Sequence, residues 1–265
     1  MPRLSWLVVA PLAAYWSVWV DYASRLGRDP DALAHPAAVV IGLVVLWGSG
    51  TGQRARWVQR AGFVLSLSCV IAFALAYAHI GAMARCALAL LGVGSFVCWQ
   101  RTSARPLLGL GLMLLGIPML SQLESLVGVS LRVTVADAAA ALVRIPGLPI
   151  AAEGTRLVWA GGAVDVDAPC SGLRMLWTGA LASLVAIAHF RLRAPAVLSL
   201  GAGALLLIWS GNVLRCAALF YVESGMVPAP AWAHGGIGLI VFAGVCASLW
   251  EGARWLSRPR AVCAS

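Results

Sequence analysis

From residue 196 to residue 214 the chain runs without a single charged side chain. A run of about 20 apolar residues can close its backbone hydrogen bonds internally as a helix, which is the cheapest way to cross a bilayer core. Similar apolar runs recur near 4–20, 37–50, 61–80, 86–99, 106–120, 170–189, 196–222 and 234–250. The predicted class is therefore all-α: a polytopic membrane helix bundle of about eight transmembrane helices. Composition agrees, because 61% of the 265 residues are hydrophobic and 11% are charged, too few charges to coat a soluble domain of this length. The first run follows Arg3 as a signal peptide would. Tyr15, Trp16 and Trp19 stand where a cleavage site needs small residues, so the run is expected to stay in the chain.

The net charge of +9 would suggest nucleic acid in a soluble protein. Here it reads instead as arginine gathered on one side of a membrane, and no nucleic-acid partner is expected. All 19 basic residues are arginine. One set of connections carries Arg3, then Arg54, Arg56 and Arg60, then Arg101 and Arg105, then Arg191 and Arg193, then Arg254, Arg258 and Arg260, with Glu251 as the one acid. In the alternate set, 121–169 has three arginines against five acids, and 223–233 has Glu223 and no arginine. This asymmetry predicts cytoplasmic termini in the inner (plasma) membrane, with 121–169 and 223–233 facing outward. Four regions follow. They are an N-terminal set of about five helices over 1–120, an extracytoplasmic or interfacial segment over 121–169, a three-helix core over 170–250 and a cytoplasmic tail over 251–265.

The outer segment divides in two. Residues 131–144, "LRVTVADAAAALVR", have the spacing of an amphipathic helix lying against the membrane. Residues 155–166, "TRLVWAGGAVDV", alternate around Gly161 and Gly162 and predict a β-hairpin. This insertion leads into the stretch "DAPCSGLR", where Cys170 follows Pro169 at the mouth of the sixth run. The seven cysteines, Cys69, Cys86, Cys98, Cys170, Cys216, Cys246 and Cys263, form no CxxC pair and no metal-ligand spacing. No metal or other cofactor is expected. Most of these thiols lie inside apolar runs, where cysteine acts as a small hydrophobe. Cys170 does not.

Pro169 suits the first position of a helix, because its missing N–H costs nothing there. The backbone N–H groups and positive dipole end at such a start suit an anionic sulfur, the reactive form of a cysteine. The alternative is a cysteine that merely begins a helix. Arg215 sits inside the seventh run, where an arginine is costly and faces a bundle interior, pairs with a carboxylate such as Glu223 or Asp167, or snorkels to the outer headgroups. Asn212, one turn earlier, shares its face and can orient it. His234 opens the eighth run, an address that equally suits an interfacial histidine. The arginine asymmetry brings all three to one depth of one leaflet. Such a set suggests acyl transfer. Cys170 would attack a peptide carbonyl to give a thioester, His234 would move the proton, and Arg215 would stabilise the oxyanion. Arg174, one turn after Cys170, either raises the local positive potential or contacts headgroups. Two rivals remain open: a transporter component using Arg215 and His234, and a non-catalytic membrane scaffold.

At these residues the chain resembles the exosortase/archaeosortase family of integral-membrane sorting enzymes. "APCSGLRML" (168–176) is similar to its cysteine block, "GNVLRCAALF" (211–220) to its N-x-x-R block and "AHGGIGLIVF" (233–242) to its histidine block. The likeness covers roughly residues 120–250. It implies a cysteine-type peptidase or transpeptidase with Cys170, Arg215 and His234 as catalytic residues, and Asn212, Arg174 and Ser171 in support. It also implies membrane-anchored substrates whose C-terminal signal combines a Pro-Glu-Pro-like motif, a spanning helix and a basic cluster. Cleavage would fall at the outer, periplasmic face of the inner membrane. The product would pass to a cell-surface acceptor, in a setting linked to exopolysaccharide production.

Overall fold

A computed structural model describes residues 12–27, 34–48, 52–230 and 232–258. Arg3, Arg260, Cys263 and the start of the first apolar run lie outside the described residues. The chain divides into two compact units, Met1–Met119 and Leu120–Ser265.

The first unit holds α1 (Trp16–Leu26), α2 (Ala34–Trp47), α3 (Gly52–Ala76), α4 (Ala82–Arg101) and α5 (Pro106–Leu115). α3 packs along α4, and α2 along α5. Between apolar helices in lipid there is little hydrophobic drive, so close packing has to hold them together. The α2–α5 contact shows how: a Cβ on Gly42 would sit 2.8 Å from the Gly109 carbonyl, and one on Gly109 would sit 3.1 Å from the Gly42 carbonyl. Two facing glycines thus bring the backbones together. Outside this seam the helices show apolar side chains such as Leu65, Ile71 and Leu107, as lipid-facing helices do. α5 stops at Leu115 because Gly116 and Pro118 follow, and a proline's ring restricts the residue before it.

The second unit begins with α6 (Leu120–Arg144), which contains a π-helical segment, Glu124–Gly128. Three antiparallel strands follow in the order β1 (Ile150–Glu153), β2 (Arg156–Trp159), β3 (Gly162–Asp165). The predicted hairpin is β2–β3, with Trp159 opposite Gly162 and Arg156 opposite Asp165. The Arg156 guanidinium donates to Asp165 at 2.6 Å, which holds its pKa above the ordinary arginine value. β1 is an addition: Ile150-Ala151-Ala152-Glu153 carries weak strand signal, and it pairs by a tight turn at Gly154. The sheet buries Ile150 and Leu157 with Val135, Ala139 and Val143 of α6.

A short 3-10 turn, Ala168–Cys170, precedes α7 (Leu173–Phe190); α8 (Ala194–Glu223) and α9 (Ala233–Ser257) complete the unit. α8 is central, packing on α6, α7 and α9. Its Phe220 meets Trp159 of β2 edge to face at 5.1 Å.

The chain is an all-α, multi-pass membrane helix bundle with one small sheet. Among the described residues six helices are long and apolar enough to cross a membrane: Arg56–Ala76, Ala82–Arg101, Leu120–Arg144, Ala168–Phe190, Ala194–Glu223 and Ala233–Ser257. Ala34–Trp47 and Pro106–Leu115 are shorter. The run at 86–99 therefore belongs to a full-length helix, and the helix expected over 131–144 is the later part of a 25-residue one.

Candidate active site

The turn carrying Cys170 is built by its own sequence. Asp167 accepts the Cys170 N–H at 2.8 Å, and the Ala168 carbonyl accepts from Ser171 at 3.1 Å. Gly172 then takes φ +85, a left-handed conformation that an L side chain rarely adopts. A Cβ there would also lie 2.8 Å from Asn212 Nδ2, so glycine serves both the bend and the fit onto α8. Cys170 ends the 3-10 turn and α7 starts at Leu173, three residues beyond the start expected from the apolar run. The reversal at Gly172 separates the two.

α8 grips this turn from one face. Asn212 Nδ2 donates to the Cys170 carbonyl at 2.8 Å, and Arg215 Nη1 donates to the Pro169 carbonyl at 3.1 Å. Cys216 Sγ lies 3.8 Å from the Cys170 carbonyl. Positions 212, 215 and 216 share a helix face by their spacing of three and four. Asn212 is 1% exposed and Cys170 is 7% exposed, so the carbonyl between them has no water to replace a lost donor.

Arg215 keeps a donor in reserve. Its Nε is buried and has no acceptor among the described residues. The neighbour on that side is Gly238 of α9, where an added Cβ would stand 3.2 Å from Nε. The missing side chain lets α9 pack closely against the guanidinium.

His234, in the first turn of α9, meets Glu223 at the end of α8, with Nδ1 2.8 Å from Oε1. The ion pair considered for Arg215 with Glu223 thus goes to the histidine, because Arg215 turns to the Pro169 carbonyl instead. Arg215 reaches the Cys170 turn through the Pro169 carbonyl, and Ile237, three residues after His234, packs on the buried cluster that includes Cys170.

On the other side of the turn, Ser171 Oγ donates to Glu124 Oε2 at 2.7 Å and accepts weakly from the Leu173 N–H at 3.4 Å. Arg132 Nε stands 3.8 Å from Glu124 Oε1. Glu124 belongs to the π-helical segment of α6, and Gly128, one turn on, leaves its carboxylate room. π-Segments are frequent at functional sites. Arg174 is exposed on α7, one turn after Cys170.

Glu124, Arg132 and Cys216 join the neighbourhood without having been singled out from sequence, and Glu223, weighed there as a partner for Arg215, joins it as the partner of His234. Cys216 was findable, since it sits four residues after Asn212 on the face already assigned. Glu124 was findable too, as the one charged residue between Arg105 and Arg132. The Glu223–His234 pairing spans a loop and leaves no periodic trace. Among the described residues, no three His, Cys, Asp or Glu side chains come together as a metal site.

No curated protein and no solved structure matches the chain. The model of the transmembrane exosortase family does match, over residues 2–251, so the likeness extends well beyond the three blocks into the first unit. With nearly the whole length so matched, the chain belongs to the transmembrane exosortase family.

Proposed function

We infer that the chain acts as a membrane sorting enzyme of the protease or transpeptidase kind, as its family membership supports. We propose that Cys170 is its nucleophile. The observation that carries this reading is the grip of α8 on the Cys170 turn, with the Arg215 Nε donor left without an acceptor beside it. A buried donor that nothing satisfies is uncommon in a folded protein, and one near a nucleophile suits a charge that exists only during reaction.

In the proposed sequence, His234 is oriented by Glu223. Its Nδ1–H donates to the carboxylate, which leaves Nε2 as the basic nitrogen. Nε2 takes the thiol proton as the Cys170 sulfur attacks the peptide carbonyl. The carbonyl oxygen becomes an oxyanion opposite Arg215. Collapse breaks the C–N bond, the imidazolium hands its proton to the leaving amine, and the acyl group stays on sulfur as a thioester. Water or an acceptor amine then attacks the thioester and regenerates the thiol. Asn212 and Ser171 position the turn; Arg174 adds positive potential at the approach. The substrate is a membrane-anchored protein with the C-terminal tripartite signal described above, cut at the outer face of the inner membrane, with both enzyme termini cytoplasmic. The spanning helix of such a signal ends in cytoplasmic arginines, so its scissile bond emerges at the level assigned to Cys170.

The test is to co-express a protein ending in a Pro-Glu-Pro-like motif, an apolar helix and a basic cluster with wild type or Cys170→Ala. Full-length substrate accumulating only with the variant is the expected outcome. Undiminished processing by Cys170→Ala at equal enzyme level defeats the reading.

A further inference from the structure

The end of the α7–α9 core opposite the Cys170 turn holds a second constructed feature. Where α7 ends, α8 starts and α9 ends, a cleft of about 870 Å³ opens. Arg191, Arg193 and Arg258 line it together with Pro195, Ser199 and Trp255, and no carboxylate does among the described residues. α7 has 18 residues, which puts this cleft about 27 Å from the thiol along the helix.

Three observations mark the cleft as more than scattered surface charge. First, Arg191, Arg193 and Arg258 have no acidic partner among the described residues, whereas nearby Arg254, which does not line the cleft, is held by Glu251 at 3.3 Å. Second, Arg191 closes α7 at φ +53, a left-handed position where glycine is the usual choice. An arginine at a strained address is a side chain wanted for its guanidinium. Third, α8 begins inside the cleft without a side-chain cap, so its first N–H groups add their partial positive charge to the same space.

We infer that this cleft binds the phosphate headgroup of an anionic phospholipid. The guanidinia and helix N-terminus supply the charge complement to a phosphodiester. Trp255 and Pro195 supply the apolar wall against which its glycerol and acyl chains lie. The cleft sits at the ends of helices of spanning length, which is the level at which headgroups of that leaflet occur, and basic pockets between such helices are known headgroup sites. The assignment is independent of the chemistry proposed for Cys170.

The test is native mass spectrometry on the full chain in detergent, titrated with phosphatidylglycerol or phosphatidylcholine. Wild type is expected to retain phosphatidylglycerol at least tenfold better than phosphatidylcholine. R191Q/R193Q/R258Q is expected to retain both alike, and R254Q is expected to behave as wild type. Equal retention of the two lipids by wild type overturns the inference. So does an equal loss in R254Q, which would mean net charge alone is read. Displacement of phosphatidylglycerol by millimolar inorganic phosphate would reassign the cleft to free phosphate and also overturn it. Should the triple variant fail to fold, Arg191→Gly serves in its place. It relieves the left-handed strain, so melting holds or rises while phosphatidylglycerol retention falls severalfold; unchanged retention counts against the site.

Discussion

The two compact units are made of the same apolar helices, yet their helices are joined in different ways. In the first, the helix seam is made by removal: Gly42 and Gly109 carry no side chain, and backbone meets backbone. In the second, the seam is made by addition: Asn212, Arg215 and Cys216 reach across from α8 to carbonyls of an irregular turn. Glycine seams hold helices chiefly by close packing, with a few side chains such as His35 reaching a carbonyl of the facing helix. A polar grip on a non-helical turn keeps backbone groups satisfied at depth and leaves a thiol and an orphan donor beside them. Substitutions in the first unit should therefore cost stability, and those around the Cys170 turn should cost turnover.

The sharpest test of that contrast is Arg215→Ala. Loss of an oxyanion donor costs about 10²–10³ in kcat. That fall is expected in single-turnover cleavage of a signal peptide, with little change in KM. A comparable fall in KM-limited binding alone would move Arg215 to a substrate-holding role.

Next in size is Gly42→Leu, which forces the α2 and α5 backbones apart. Overpacking of this kind costs roughly 1–3 kcal/mol. Thermal melting in detergent should drop while the surviving folded enzyme keeps its turnover. A turnover loss with unchanged melting would show that the first unit takes part in reaction.

Glu223→Gln comes third. The amide still reaches His234 but no longer favours the imidazolium, so kcat should fall about tenfold, a loss near 1.4 kcal/mol, with Glu223→Asp restoring part of it. Equal activity of the Gln and Asp variants would make Glu223 a mere tether. The smallest effect belongs to Arg156→Gln. Its ion pair with Asp165 lies fully in solvent on the hairpin, and neither melting nor turnover should change measurably. A clear activity loss there would bring the sheet into the site.

Much of this was legible in the chain itself, because helices in lipid announce themselves by length and apolarity. The β2–β3 hairpin was legible through Gly161 and Gly162, and Pro169 marked the approach to α7, but the reversal at Gly172 that delays the helix to Leu173 was not read. Asn212 and Arg215 declared a common face by their spacing. What escaped notice was set by distance along the chain. β1 is two alanines between an isoleucine and a glutamate, and only pairing with β2 makes it a strand. Ser171 and Glu124 are 47 positions apart, joined by one hydrogen bond that no local period encodes. The continuation of α6 back to Leu120 was hidden because a carboxylate at residue 124 looks like the end of a span until Ser171 and Arg132 are seen beside it.

The enclosure of Cys170 by Asn212, Cys216 and the hairpin side of the unit has a last consequence. A thiol this sheltered, acting as the proposed nucleophile, ranks reagents by girth before reactivity. Slim methanethiosulfonates should outrun bulky maleimides, and an acyl group once transferred is kept from casual hydrolysis. In the proposed mechanism this shelter acts as a timer for the second half of the reaction.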